Sequence, residues 1–568
     1  MTASPSFDKD DLVGLALADG VGVGFARGHE RWAIATPDPA AVLQAIHSAG
    51  APRWVWWGRE TSDRIAAAGL PVDRCWDVLT VHRFLHGTWK APVGEVWASL
   101  HGLSLDTLPA MGQLGLLDAP IDEGDRDQPV RPDGHLRPEW IDGGFGASPD
   151  RLADWAALAL EAQNAQQPLL AELPDPDRAQ ATARSESAAD LLCAEMTASG
   201  LPIDTVEAER LITDAAGIRP RTYAEEDERR ADRDELVYAQ LDPRQEVNLR
   251  NPAEVNKMLR RQGFDLPDTR AWRLEALRDT EPLIDALLHW RKAERIATTY
   301  GWRWLDEHVD GGRLRGGWSS SDGAAGRMTA SAGLHNLPTM MRPVVAAEPG
   351  HRLVRADLGQ IEPRVLAAVS GDVGMIDATR QDDLYLPIAR TLGVERDIAK
   401  VAVLGAMYGA TTGESAGALA GLERNYPVAM GLLERAAEAG RLGNDVFTVG
   451  GRRVRMWVDP STEGDLDRAI SVAAARGRYA RNALIQGAAA EFFKVWAITV
   501  RRRGRTIGAE VVLCLHDELL VHVPADQADA AAAMVEAAVH EAAHYWSPRQ
   551  DVRFVADVSI VGRWSEAK

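Results

Sequence analysis

The stretch EVVLCLHDELLVHVP at 510–524 constrains the fold of this chain more than any other. Two apolar runs rich in Val and Leu flank the polar tripeptide His516-Asp517-Glu518, so the pattern predicts a β-hairpin with acids at its tip. A solvated turn accounts for one such tripeptide taken alone. Far upstream, in RADLGQIEPRVLAAVSGD at 355–372, another apolar run ends on Asp357, and Glu362 follows five residues later. An Asp in that setting is ordinarily a turn or capping residue. Yet two strand-end carboxylates from distant parts of a chain can share hard divalent cations, which favour oxygen ligands. Such a pair can activate an attacking oxygen and neutralise a leaving phosphate.

The length, 568 residues, exceeds what one core serves and suggests about three or four domains. With 46% hydrophobic and 26% charged residues the chain reads as globular, and no unbroken apolar window of about 20 residues offers a membrane span. The start, MTASPSFDKDDL, is acidic and lacks the pattern of a signal peptide, so a cytoplasmic protein with no membrane partner is expected. Cys75, Cys193 and Cys514 form no CxxC pair, which fits a reducing compartment without disulfides or a cysteine zinc site. A net charge of -20 argues against wholesale wrapping of nucleic acid but leaves room for local basic surfaces, as in the arginine-rich 441–455 and 476–505.

Residues 12–100 alternate strand-like and helical runs, an α/β pattern. Residues 150–170 are strongly helical, and the polar, proline-containing 172–187 reads as a linker. Residues 188–310 are mostly helical, and 311–568 mix helices with a few strands.

A second constellation lies in ERDIAKVAVLGAMYGATTG at 395–413. Arg396, Lys400, Leu404 and Tyr408 recur every four residues and form one stripe on a helix. Two cations, an apolar residue and an aromatic suit a triphosphate at one end and a base and sugar at the other. The alternative is an ordinary exposed helix, its cations solvated and its Leu404 and Tyr408 packed in the core.

In this order, Asp357 to Arg364, Arg396 to Gly409 and His516 to Glu518 resemble the three motifs of family A DNA polymerases, the DNA polymerase I type. GRMTASAGLHNLP at 326–338 is similar to that family's segment ahead of the first motif. FTVGGRRV at 447–454 is similar to its threonine, glycine and double-arginine turn, and RYARNALIQGAAAEFFK at 478–494 to its helix before the third motif. The resemblance covers about 190–568. It implies a right-hand polymerase: an α+β palm with an antiparallel sheet, and helical thumb and fingers. It also implies an α/β, RNase H-like N-terminal domain of the 3′-5′ exonuclease type, to which DRCWDVLTVHRFLHG at 73–87 is similar. The expected partition is 1–185 for that domain, 186–315 for the thumb region and 316–568 for the palm, with fingers at about 373–475.

The resemblance further implies roles. Asp357 and Asp517, with the Leu358 carbonyl, would hold two Mg²⁺ ions, with Mn²⁺ able to substitute. Glu518 would be an auxiliary acid near the primer end. Arg396 and Lys400 would bind the phosphates of a dNTP, Lys400 also donating a proton to the leaving pyrophosphate. Gln360, Leu404 and Tyr408 would contact the nucleotide. Glu362, packed with Tyr408 at the sugar, would exclude a 2′-hydroxyl. Arg327, Asn336, Arg478, Asn482, Gln486 and His516 would bind primer-template DNA, whose minor groove presents similar acceptors for every correct pair.

This chain departs from the family where Leu404 replaces an aromatic, Val403 an Asn, and Leu358, Gly359 and Pro363 the usual Tyr, Ser and Leu. Tyr385 stands near the place of a phosphate-contacting His, and the segment after Gly409 is shortened, which suggests trimmed fingers. In the N-terminal third the sequence reads as entering the sheet at its second strand, without the first strand's pair of acids, and offers Leu152 and Ala156 where the nuclease needs Tyr and Asp. The reading is therefore a monomeric DNA polymerase with an inactive nuclease domain, acting in DNA repair or replication. The rivals are a catalytically weak DNA-binding scaffold of the same fold and a single-subunit RNA polymerase.

Overall fold

A computed structural model describes residues 5–109, 125–243, 247–323, 325–409, 416–459 and 465–567. Packing divides them into two units: Met1–Ser199 with Gly317–Ala330 and Gly350–Val561, and Gly200–Gly316 with Ser331–Pro349 and Gly562–Lys568.

The first unit opens with a five-stranded sheet of β1 (Leu12–Ala18), β2 (Gly22–Arg27), β3 (Glu30–Ala35), β4 (Arg53–Trp56) and β5 (Cys75–Asp77), in the order β3-β2-β1-β4-β5. β1 is antiparallel to β2 and parallel to β4, the mixed order of an RNase H-like sheet. Its first strand is thus present, contrary to the sequence reading. The run LVGLALADGVGVGFA is not one strand but two, because the Asp19-Gly20 turn, with Gly20 at φ +73°, folds it back on itself. α1 (Val78–His86) follows directly on β5, capped by Asp77, whose side chain accepts from the Thr80 amide.

α2 (Pro149–Ala171) lies across the sheet at unusually close range. A Cβ at Gly14 of β1 would overlap the carbonyl of Ala156, and one at Gly24 of β2 the backbone at Leu152. Glycine is needed at both positions because helix backbone rests directly on strand backbone.

The linker expected at 172–187 is mostly helix: α3 runs Pro176–Ser199. Asp175 accepts from the Arg178 amide, and Pro176 takes the first helical position, where proline starts a helix instead of breaking it. α3 buries residues along its whole length, so the chain leaves the first unit only at Gly200, and the 1–185/186–315/316–568 partition does not follow the packing.

A four-stranded antiparallel sheet forms the other half of the first unit. β6 (His351–Leu358) leads through Gln360 into α4 (Ile361–Ser370), and α5 (Arg396–Tyr408) follows. The short hairpin β7 (Val446–Phe447) and β8 (Arg453–Val454) precedes α6 (Leu466–Gly504). β9 (Glu510–Leu515), β10 (Glu518–Pro524), α7 (Ala528–Trp546) and β11 (Ala556–Val561) complete the unit, and the sheet order is β9-β10-β6-β11. β6, which carries the first acid, is therefore interior and paired on both sides.

α6 is long and apolar enough to cross a membrane by length and composition alone. However, 89% of its apolar window is buried inside the protein, so it is the spine of this unit. A buried ionic cluster joins it to α3 and to the β7–β8 turn. Lys494 Nζ donates to both oxygens of Glu186 at 2.8 and 2.7 Å, and Arg452 Nη2 lies 2.6 Å from Glu186.

The second unit is mainly helical, with the helices Thr205–Ala216, Tyr223–Tyr238 and Pro282–Thr299. Val255, Met258, Ile284 and Leu287 fill its core beside ion pairs of Arg233 and Arg250 with Glu294.

Candidate active site

Asp357 stands near the end of β6, opposite Glu518 of β10 on one side and Asp557 of β11 on the other. The Leu358 amide donates to the Asp517 carbonyl at 2.9 Å, so backbone ties the strand end to the hairpin tip. The hairpin loop has only two residues, His516 and Asp517, because Leu515 already pairs with Glu518. Glu518 thus opens the return strand and is buried instead of sitting in the tip. His516 holds φ +55°, where such turns favour glycine, and Gln360 holds +48°. Two non-glycine residues in left-handed conformation beside the acids cost on the order of 1–2 kcal/mol each, which the paired strands around them sustain.

The acids crowd one another. Burial and the charge of Asp517 push the Asp357 carboxyl up to about 6, against the pull of Arg355. Burial likewise raises Asp517. Arg355 lies two residues before Asp357 and so on the same face of β6. Its Nη2 donates to Asp357 Oδ2 at 2.9 Å, its Nε to Glu518 Oε1 at 2.8 Å, and its Nη1 reaches Asp557 Oδ2 at 3.4 Å. Sequence reading passes over Arg355, although its i, i+2 relation to Asp357 was available as a signal.

Glu362, in the first turn of α4, forms a wall with neighbours from two other segments. Arg327 Nη2 donates to its Oε1 at 2.8 Å and Tyr408 Oη to its Oε2 at 3.3 Å, while burial raises its pKa. Glu362 and Arg327 line a cavity of about 180 Å³ that also takes in Gln360, Leu404, Gln486, His516 and Asp517. Tyr385 lines it as well, buried, with its hydroxyl pushed up to about 12 by that burial. Arg364, fully buried, holds the turn that carries Gln360. It donates to Gln360 Oε1 at 3.2 Å and to the carbonyls of Gly359, Thr379 and Asp382.

α5 turns Ala399, Ala402, Val403, Ala406 and Met407 into the core, which leaves the Arg396–Lys400–Leu404–Tyr408 stripe on the open side. Leu404 is half-buried and Tyr408 43% exposed, so the alternative of a stripe packed in the core does not hold. Arg396 is engaged by Asp383, Nε to Oδ2 at 2.5 Å, and Lys400 is exposed. The shortened segment after Gly409 starts in 410–415, outside the described residues.

On α6, Arg478, Asn482 and Gln486 recur at i, i+4 and i+8 and share one accessible face. The end of α5 packs at Arg478, where a Cβ on Gly409 would come within 2.9 Å of its Cγ. Asn336 is not brought to this cavity. It belongs to the second unit, where its carbonyl accepts from Arg295 Nη2 at 2.7 Å.

The donor set fits a divalent cation. Asp357 and Asp517 offer carboxylate oxygens, the ligands of hard cations, and the crowding that raises Asp357 is relieved by added positive charge. On the N-terminal sheet β1 (Leu12–Ala18) contains no carboxylate, and the backbones of Leu152 and Ala156 fill the space over Gly24 and Gly14.

A phosphoryl-transfer site at the end of an interior antiparallel strand, faced by an exposed cationic helix, is the arrangement of a nucleotide-polymerising palm. The profile of DNA polymerase family A matches residues 223–566, more than half of the chain, and the chain belongs to that family. Members of this family use divalent metal ions. The thermostable DNA polymerase I of Thermus filiformis is 31% identical over 328 residues, covering 52% of this chain and 38% of that protein. The DNA polymerase I of Chloroflexus aurantiacus is 32% identical over 298 residues, covering 46% and 30%. The chain thus spans about a third of the length of the curated relatives it matches, 38% and 30% of these two. Among solved structures, the POL domain of Pol1 from M. smegmatis, in complex with DNA primer-template and dNTP, matches 98% of this chain and 96% of its own. The TM-score is 0.69 at 19% identity, a likeness of fold.

Proposed function

We propose that this protein extends a DNA primer along a template with dNTPs by metal-assisted phosphoryl transfer. The observation that carries the reading is that Asp357 and Asp517, 160 residues apart in sequence, are brought together by the backbone bond from the Leu358 amide to the Asp517 carbonyl, with Asp517 lining the cavity that Glu362 also lines. The M. smegmatis domain of similar fold is bound to a primer-template and a dNTP.

Asp357 and Asp517, with the Leu358 carbonyl, would hold two Mg²⁺ ions, for which Mn²⁺ could stand in. Such ions activate the attacking 3′-oxygen and neutralise the leaving phosphates. The other steps belong to side chains. Arg396 exchanges Asp383 for the triphosphate, and Lys400, exposed on the same stripe, binds it as a point charge and donates a proton to pyrophosphate as it leaves. Glu362, fixed by Arg327 and Tyr408, fills the volume a 2′-hydroxyl requires, which favours the DNA enzyme over an RNA polymerase. Arg478, Asn482 and Gln486 face the primer-template, and His516 stands at the hairpin tip.

The N-terminal sheet acts as a scaffold without nuclease activity, a reading supported by the acid-free β1 and by the helix backbone packed onto Gly14 and Gly24. Incubation with end-labelled single-stranded DNA and Mn²⁺ tests this: shortening that survives Asp357→Ala but not N-terminal truncation would sink it. Primer extension with dNTPs or rNTPs in parallel, on the intact chain and on Asp517→Ala, tests the main reading. Extension with dNTPs that the substitution abolishes is expected. Failure with every divalent metal would leave the DNA-binding scaffold, and preference for rNTPs would indicate an RNA polymerase.

A further inference from the structure

A second cavity, of about 240 Å³, shares no residue with the site above; it lies between the end of α1 and strand β8. Gly87 ends α1 at φ +60°. A Cβ there would overlap the Arg453 carbonyl and come within 3.1 Å of Arg455 Cγ, so the glycine lets β8 seat against the helix end. His82 and His86, one turn apart on α1, stack with ring centroids 4.2 Å apart. Burial pushes His82 down to about 3, and burial with the charges of Arg453 and Arg455 lowers His86, so both rings are neutral at pH 7.

Three polar atoms on this lining are buried and find no hydrogen-bond partner among the described residues: His82 Nδ1, His86 Nε2 and Thr88 Oγ1. His82 is 94% buried, its residual exposure being 6%. Each orphaned atom destabilises the fold unless a ligand satisfies it. The same lining carries Lys90, Arg453 and Arg455. Asp445 pairs with Arg453 at 2.7 Å, but among the described residues Lys90 and Arg455 pair with no carboxylate.

The His82–His86 spacing could serve a metal. Three lining cations against the single acid Glu95 make the space hostile to one and favourable to an anion. The helix C-terminus opposes an anion, but by less than one charge-assisted hydrogen bond contributes. A tetrahedral oxyanion can take donors from an imidazole N–H, a hydroxyl and two cations at once. We propose that this cavity is a phosphate-binding site, formed by His82, His86, Thr88, Lys90 and Arg455, that takes a phosphate group either free or carried on DNA.

The full chain, labelled with ¹⁵N-histidine, is titrated with inorganic phosphate at constant ionic strength. Saturable shifts of the His82 and His86 ring resonances are expected, weakened about tenfold or more by Lys90→Ala with Arg455→Ala, the loss expected when charge-assisted contacts are removed. Both substituted residues are exposed; should that variant melt early, Thr88→Val is read in its place. A 5′-phosphorylated single-stranded oligonucleotide that binds more tightly than its unphosphorylated form assigns the group to DNA, and equal weak binding of the two assigns it to free phosphate. Shifts that do not saturate, or that the variants leave unchanged, overturn the proposal. So does saturation of the same resonances by Zn²⁺ but not by phosphate.

Discussion

Arg355 Nη2 lies 2.9 Å from Asp357 Oδ2, so the acid proposed as a metal ligand already has a cation on it, one the same guanidinium shares with Glu518. In the absence of metal this contact screens the crowded carboxylates; in its presence the two positive charges compete. Arg355→Ala is expected to tighten Mn²⁺ binding about tenfold, in keeping with the loss of a charge-assisted contact, and to lower the melting temperature of the metal-free protein. Free Mn²⁺ measured by electron paramagnetic resonance reads the first effect. Unchanged or weaker binding would show that Arg355 orients Asp357 instead of competing for it.

The raised pKa of Asp357 predicts a pH dependence of known sign. A carboxyl lifted from its ordinary value to about 6 on folding favours the folded state at low pH, and that contribution is lost as pH rises from about 4 through about 6. Metal-free Asp357→Asn is therefore expected to be more stable than the unaltered protein at pH 8, by on the order of 1 kcal/mol after discounting for solvent screening, and to show no gain near pH 4. Thermal melts at the two pH values in chelator check it; a gain at pH 4 that vanishes at pH 8 would reverse the sign.

Glu362 is held from two sides, by Arg327 and Tyr408. Glu362→Ala opens the wall and is expected to reduce the preference for dNTPs over rNTPs in kcat/KM by at least about tenfold, since a steric pocket discriminates by its filled volume. Single-nucleotide incorporation with matched dNTP and rNTP measures the ratio, which should be unmoved if another residue excludes the 2′-hydroxyl.

Lys494 and Glu186, buried partners joining α6 to α3, predict a strong asymmetry. Lys494→Met leaves Glu186 with Arg452 as its remaining buried cation and should cost about 3–5 kcal/mol, while Lys494→Met with Glu186→Leu and Arg452→Met, which removes the whole cluster, should recover most of the loss. Denaturant unfolding of the two variants gives the comparison. Equal destabilisation would mean that the packing, not the pairing, sets the cost.

Where the sequence was legible, the reason is local. Two continuous apolar runs around a polar tripeptide in EVVLCLHDELLVHVP marked the hairpin, and four-residue spacing placed Arg396, Lys400, Leu404 and Tyr408 on one stripe, because such runs and helical spacing need only neighbours in the chain. Failures arose where a local signal had two meanings. The prolines and acids of 172–187 read as a linker, but Asp175 and Pro176 start a helix whose burial depends on partners hundreds of residues away. The sequence at 12–26 read as entering the sheet at its second strand because the three-residue turn Asp19 to Val21, which splits it into β1 and β2, is too short to stand out from the run.

By itself the sequence determined which chemistry-bearing residues exist and in what order, enough to mark Asp357, the α5 stripe and the Asp517 hairpin as parts of one machine. Only the tertiary structure decided which of them meet. It set Arg355 on Asp357 and Glu518, moved Glu518 from the tip into the strand, assigned Asn336 to the other unit and laid α2 backbone on Gly14 and Gly24. Charges and close approaches act through space, and the distances that decide them are fixed by strand register and helix packing, which no short stretch of sequence carries.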